Sequence, residues 1–412
     1  MKIALIGHGV VGSGVVEVIL KNKKQIDERA GDTIEIKYIL DIKDFPDSPL
    51  KDRFIKDFSV IENDPEIGVV VETAGGATFA YDYVKRALLA GKSVVTSNKE
   101  LVAKYGYELL DIARKMDKNL FFEASVGGGI PIIRPLYQCL AANDLAEICG
   151  ILNGTTNFIL TKMIKENMDF KTALSLAQKN GYAEADPTAD VEGIDACRKI
   201  SILASLAFGK YFDPEKVYTK GITGISLEDV EYAEAYDCVI KLVGRTKKFE
   251  DGKVSASVSP CFVSKSHPLS SVEGVFNGIV VNGNAVGECM FYGMGAGKFP
   301  TASAVVADII DAVKHSMHVR NLFYKKVDKD FIIPYEETKD KFFVRMKVSD
   351  RSKARSLCKK IFKDFSEIYA DGKNSEFALV TNELNVTDFN KLISEMNNFD
   401  CIEEVLSYIA VL

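Results

Sequence analysis

Apolar positions keep one rhythm up to about residue 130 and another beyond it. In the first part, short apolar runs alternate with stretches whose apolar residues recur at helical spacing, which predicts parallel strands joined by helices. The run over residues 2–7 reads as a buried strand and leads into a helical pattern through Leu20. Further strands are predicted over 34–40, 69–72, 93–96 and 120–124, with a helix over 80–90 closed by Gly91. After Pro131 the helices lengthen, and runs at 147–152, 255–262 and 278–281 are spaced for an antiparallel sheet. An apolar helix over 302–319 is placed to return to the first unit. Residues 341–412 give strand, helix, strand, strand, helix, strand.

The first strand ends in Gly7-His-Gly9-Val-Val-Gly12, directly before a helix. This is the context a dinucleotide fingerprint requires. Gly7 permits the tight turn, Gly9 lets the backbone approach a pyrophosphate, Gly12 allows close helix–strand packing, and the helix N-terminus offers donors to the anion. His8 reads as a replaceable filler. The strand over 34–40 ends at Asp41, placed to accept hydrogen bonds from ribose hydroxyls, which favours NAD over NADP. Lys43 stands nearby as a possible partner for a 2′-phosphate, and Asp41 could equally be a turn former. The expected fold is α/β, with an N-terminal Rossmann domain over 1–133 completed by a helix at 300–320. An α+β domain over 134–299, a charged linker over 321–340 and a βαββαβ domain over 341–412 follow.

The segment from Gly181 to Lys199 is densely charged, yet it opens a helix that otherwise reads as buried. Pro187 and Gly193 break it into a loop and a helix beginning near Ile194. Ile202, Leu203 and Leu206 lie three, four and seven positions after Lys199, so Asp195 and Lys199 continue the apolar stripe. An aspartate and a lysine four apart are ordinarily a surface pair of small energetic weight. Here the stripe predicts burial, and a buried lysine can lose its proton near neutral pH. Lys199 is therefore a candidate acid/base, with Glu184, Asp186, Asp190 and Asp195 near it to orient it.

Composition narrows the class. The chain has 412 residues, 47% of them hydrophobic and 27% charged, with a net charge of −6, which describes a multidomain globular protein. No basic block points to nucleic acid or to an anionic membrane, and no apolar run is long enough to span one. The eight cysteines lack metal spacing and fit reduced thiols, and the expected location is the cytoplasm. His315 and His318 share a helical face, read as a solvated helix end.

These motifs, together with Gly91-Lys-Ser-Val-Val-Thr-Ser-Asn-Lys99, Glu123-Ala-Ser-Val-Gly-Gly-Gly-Ile-Pro131, Gly150-Ile-Leu-Asn-Gly-Thr-Thr-Asn-Phe-Ile159 and Gly293–Ser303, resemble homoserine dehydrogenase, collinearly over residues 1–320. The resemblance implies reversible NAD(P)-dependent interconversion of L-homoserine and L-aspartate 4-semialdehyde, on the way to threonine and methionine. It implies Lys199 as proton donor and Lys99 as a rival acid near the nicotinamide, although Lys99 by spacing alone is a strand-end lysine. Glu184, Asp195 and Asp190, with Asn153 and Thr155, would form the homoserine site; small polar residues at a helix start are also capping residues. Gly7, Gly9, Val10, Val11, Gly12, Asp41, Thr73, Lys99 and Gly297 would contact the cofactor. Backbone carbonyls of Glu123, Val126, Gly128 and Ile130 would hold a monovalent cation such as sodium, where a glycine run otherwise suggests a hinge. Phe79 departs from the family's usual proline.

The tail resembles an ACT-type regulatory domain that takes an amino-acid effector, often threonine, at a dimer interface. Arg351-Ser-Lys-Ala-Arg replaces the usual glycine-containing turn there, so a dimerising or stabilising appendage is the alternative. The assembly implied is a homodimer or homotetramer, with the middle domain binding substrate and dimerising. Two other classes compete: a Rossmann oxidoreductase for a different small hydroxy or aldehyde substrate, and a silent ligand sensor. The first has no use for the Gly181–Lys199 set, and the second would have lost Lys199 or Glu184.

Overall fold

A computed structural model describes residues 1–316, 322–327 and 331–412. Six parallel strands form the first sheet, in the order Phe54–Ile55, Glu35–Leu40, Lys2–Ile6, Ile67–Glu72, Ser93–Thr96 and Leu120–Phe121. The apolar runs become strands because both faces of this sheet are covered. Ile3, Leu5 and Val71 pack against Val15 and Ile19 of the helix Val10–Lys21 on one face, and Ala4, Ile6 and Val70 lie in the core of the other.

The strand expected over 120–124 is shorter than the pattern indicated. It ends at Phe121, and Glu123–Ser125 forms a tight turn because the Glu123 carboxylate accepts the backbone N–H groups of Ile132 (2.7 Å), Ile133 (2.8 Å) and Arg134 (2.8 Å). The helix predicted over 302–319 runs from Lys298 to Lys314, with Ala302, Val305 and Ile309 in the same core as Val15 and Ile19. It therefore does rejoin the first sheet. His318 lies outside the described residues.

The second sheet has eleven strands. Its middle is antiparallel, with Leu145–Ile151 paired to Cys238–Lys248 and to Phe276–Gly283. One face carries the helices Gly154–Glu166 and Ile194–Phe208. The tail adopts the expected βαββαβ order, with its strands arranged Ile402–Val411, Lys339–Val348, Glu376–Thr381 and Phe365–Ile368. Periodicity gave no sign that these strands join the middle sheet. Ile402–Val411 pairs in parallel with Val254–Ser264 through Cys261 opposite Ala410 and Phe262 opposite Val411. The buried Arg345 adds to this junction, 3.5 Å from Asp229. Of the stretch read as a linker, residues 321 and 328–330 lie outside the described residues. In the rest, Leu322, Tyr324, Phe331 and Tyr335 are buried, and the Tyr324 hydroxyl donates to the Val102 carbonyl at 3.4 Å.

Candidate active site

In the parallel sheet, Leu40, Ile6, Glu72 and Thr96 stand level with one another at the carboxyl ends of neighbouring strands. The loops that leave these ends enclose a cavity of about 540 Å³, lined by Gly7, Gly9, Asp41, Thr73 and Ala74, with Phe79 and Tyr83 on its wall. A Cβ on Gly12 would lie 2.0 Å from the Gly7 carbonyl oxygen, so the fold itself requires glycine there. A Cβ on Gly9 would meet nothing within 4 Å. Gly9 is thus dispensable to the fold and leaves space for a group from outside the chain, as an approaching pyrophosphate would need. Val10 and Val11 begin the helix behind it, and Gly297 occupies the N-cap of Lys298–Lys314.

Thr73 ties the glycine turn in place by donating its hydroxyl to the carbonyls of Gly7 (2.9 Å) and Ile6 (3.1 Å). The Asp41 carboxylate accepts the backbone N–H groups of His8 (2.6 Å) and Lys43 (2.8 Å), which holds it at the cavity edge. His8 does more than fill space. Its ring stands edge-on to Phe45 and Phe54, with centroids at 4.8 and 5.1 Å, and His8 and Phe45 line the cavity. Burial pushes its pKa below the ordinary histidine value, favouring the neutral ring. Sequence spacing could not bring Phe45 and Phe54 to His8, because His8 and Phe45 lie in loops after different strands and Phe54 on a third strand.

At the far end of the same strand edge lies a cluster of charges. Asp195, in the first turn of the helix Ile194–Phe208, is 4% exposed, and Lys199 one turn later is 8% exposed. The Lys199 ammonium donates to Asp195 Oδ2 (2.7 Å) and to the Leu152 carbonyl (2.7 Å). Lys99, at the start of the helix Lys99–Lys115, reaches Asp195 Oδ1 from the other side at 2.5 Å. One carboxylate therefore bridges two ammonium groups. Burial alone would raise the Asp195 pKa, but Lys199 and Lys99 outweigh it and keep the carboxyl ionised. Burial lowers the Lys199 pKa; Asp195 opposes that shift and the nearby Lys99 adds to it.

Asn153 completes the cluster. It caps the helix Gly154–Glu166 by accepting the Thr156 N–H (2.8 Å), and its amide donates to Asp195 Oδ2 (2.9 Å) and Asp190 Oδ1 (2.7 Å). One side chain thus caps the helix and joins the Asp195 cluster. Thr155 stands beside it, but its hydroxyl donates to the Tyr182 carbonyl (2.7 Å) and so holds the charged loop. Glu184 lies exposed on that loop, and the structure does not bring it into the Asp195 cluster.

The loop read as a cation site is buried at Glu123, Val126 and Ile130. Gly128 has φ +53°, and a Cβ there would lie 2.4 Å from the Gly295 carbonyl oxygen. Among the described residues no hydrogen bond ends on the carbonyl oxygens of Val126, Gly128 or Ile130, which is a donor set suited to a hard cation.

A glycine turn over an open cleft, a carboxylate at its edge and a buried lysine at the other end of the strand edge define a nicotinamide-dependent dehydrogenase. Residues 7–123 match the NAD binding domain of homoserine dehydrogenase, and residues 131–310 match the homoserine dehydrogenase family. The chain is 38% identical to homoserine dehydrogenase of Bacillus subtilis, over 99% of this chain and 97% of that one. It superposes on the crystal structure of a homoserine dehydrogenase from Thiobacillus denitrificans with a TM-score of 0.92 at 34% identity, covering 100% and 98% of the two chains. A hyperthermophilic archaeal homoserine dehydrogenase in complex with NADPH matches with a TM-score of 0.64 at 30% identity, over 76% of this chain and 97% of that one. The chain belongs to the homoserine dehydrogenase family and is an oxidoreductase.

Proposed function

We propose that the chain interconverts L-homoserine and L-aspartate 4-semialdehyde, with Lys199 exchanging the proton of the reacting oxygen. The observation that carries this reading is the buried Asp195 carboxylate held between Lys199 and Lys99. Bound nicotinamide supplies the hydride acceptor. Lys199, as the neutral amine, takes the hydroxyl proton of homoserine as hydride leaves its carbon; in reverse its ammonium protonates the oxygen that gains charge. Asp195 orients Lys199 and lowers the energetic cost of its charged form. Lys99 adds positive charge beside the same carboxylate and favours a developing alkoxide.

Asp190 and Asn153 extend the polar wall, and Glu184 would close on the homoserine ammonium from its loop. Glu184→Gln is expected to raise the homoserine KM while leaving kcat within a few-fold, because a charged acceptor for the substrate amine is lost. An unchanged KM would remove Glu184 from the site. The carbonyls of Val126, Gly128 and Ile130, with that of Glu123, suit sodium, which would hold the loop by charge.

NAD is the favoured cofactor, since Asp41 can accept from ribose hydroxyls and repels a 2′-phosphate. Lys43 also lines the cavity and would counter that repulsion, whereas Lys56 is engaged with Asp44 at 2.8 Å and Arg53 with Glu35 at 3.1 Å. The expected result is a higher kcat/KM for NAD than for NADP, and a smaller ratio in Asp41→Ala. A preference for NADP that survives the mutation would show that Asp41 does not read the ribose. The primary test is oxidation of NADH and NADPH with aspartate semialdehyde, and the reverse reaction with homoserine against malate. Turnover of malate alone would overturn the substrate assignment. A place before threonine and methionine, a homodimer or homotetramer, an amino-acid effector on the tail and a cytoplasmic location complete the proposal. Among the described residues, no helix is long and apolar enough to cross a membrane.

A further inference from the structure

Glu72 ends the strand Ile67–Glu72 with its side chain fully buried. Burial pushes its pKa up, and what opposes that shift is a set of hydrogen-bond donors rather than an opposing charge. A carboxylate in that position is costly unless its oxygens are well used. Oε1 accepts the backbone N–H groups of Ala74 (2.9 Å) and Gly75 (3.2 Å), in the loop that lines the cofactor cavity. Oε2 accepts the Thr96 hydroxyl, whose oxygen in turn accepts the Asn98 N–H at 3.0 Å. The Asn98 amide donates back to the Gly76 carbonyl (2.8 Å), and its oxygen accepts the Leu101 N–H (3.0 Å), capping the helix that starts at Lys99.

One carboxylate thus joins the loop at 73–76 to the turn at 96–99. Lys99 leaves that turn for Asp195. An ammonium at a helix N-terminus is electrostatically disfavoured, so a rigid turn is needed to keep Lys99 directed at its partner. We propose that Glu72, acting through Thr96, is a positioning residue that holds the cofactor loop and Lys99 as one body. The register between cofactor and the Lys99–Asp195–Lys199 cluster then depends on it. The inference rests on the reading of that cluster as the reaction site.

Thr96→Val keeps the shape of the side chain and removes the hydroxyl that joins the two halves. It is expected to lower kcat about ten- to a hundredfold, the scale of a small misplacement of a reacting group, with cofactor Kd, read by NADH fluorescence, changed less than threefold. Thr96→Ser should restore most of the rate. Glu72→Gln should lower kcat and also weaken NADH, because it alters both halves. In Lys99→Ala, the further change Thr96→Val should cost almost nothing, because Thr96 acts through Lys99. Wild-type kcat in Thr96→Val, a serine variant no better than valine, or losses that multiply in the double variant would each overturn the proposal. Full turnover in Lys99→Ala, with Lys199→Ala inactive, would also overturn it and leave the homoserine reading standing.

Discussion

Lys199→Ala is expected to reduce kcat in both directions by at least about a hundredfold, the usual scale for losing a general acid or base, while cofactor affinity changes little. The pH profile supplies a second reading of the same group. Homoserine oxidation needs the neutral amine, so its rate should climb as pH rises through a pKa displaced below the 10.5 of an ordinary lysine. Semialdehyde reduction needs the ammonium and should fall over the same interval. Both limbs should vanish in Lys199→Ala. Comparable turnover in the variant would reject the assignment and transfer the role to Lys99, which shares the same carboxylate.

Asp195→Asn should be nearly as damaging for a different reason. The carboxylate is the charge shared by Lys99 and Lys199, and the amide that replaces it can accept from one of them without neutralising either. Leaving a buried charge without its partner costs about 3–5 kcal/mol, and Lys199 can escape that cost by releasing its proton. Two results are expected together: a kcat lower by roughly a hundredfold, equivalent to about 3 kcal/mol of barrier, and a shift of the remaining pH limb to lower pH. The shift is the decisive measurement. A variant with reduced kcat and an unmoved limb would mean that Asp195 binds substrate without setting the charge of Lys199.

Much of this site is local and therefore legible in the chain. The spacing from Gly7 to Gly12 encodes a turn that the structure requires at Gly12, where a Cβ would strike the Gly7 carbonyl. The four-residue step from Asp195 to Lys199, in line with Ile202 and Leu203, already places both charges on the buried face, because helical periodicity alone fixes which side chains share a side. Asn153 announces itself as a cap because a short polar side chain at a helix start can accept an otherwise unpaired backbone N–H. The parallel character of the first sheet follows from the alternation of strands and helices.

Only the tertiary structure decides what meets across the chain. Lys99 and Asp195 sit on different helices, and no periodicity relates them; they meet at 2.5 Å because the helix after Thr96 and the helix after Gly193 converge on the same strand edge. The link from Glu72 to Thr96 depends on parallel register between two strands, and the packing of His8 on Phe45 and Phe54 on three segments distant in sequence. The tail is the largest such case. Its own pattern predicts a self-contained βαββαβ unit, and pairing of Phe262 with Val411 merges it into the middle sheet, because an unpaired strand edge offers the same backbone donors and acceptors to any partner that geometry brings within reach.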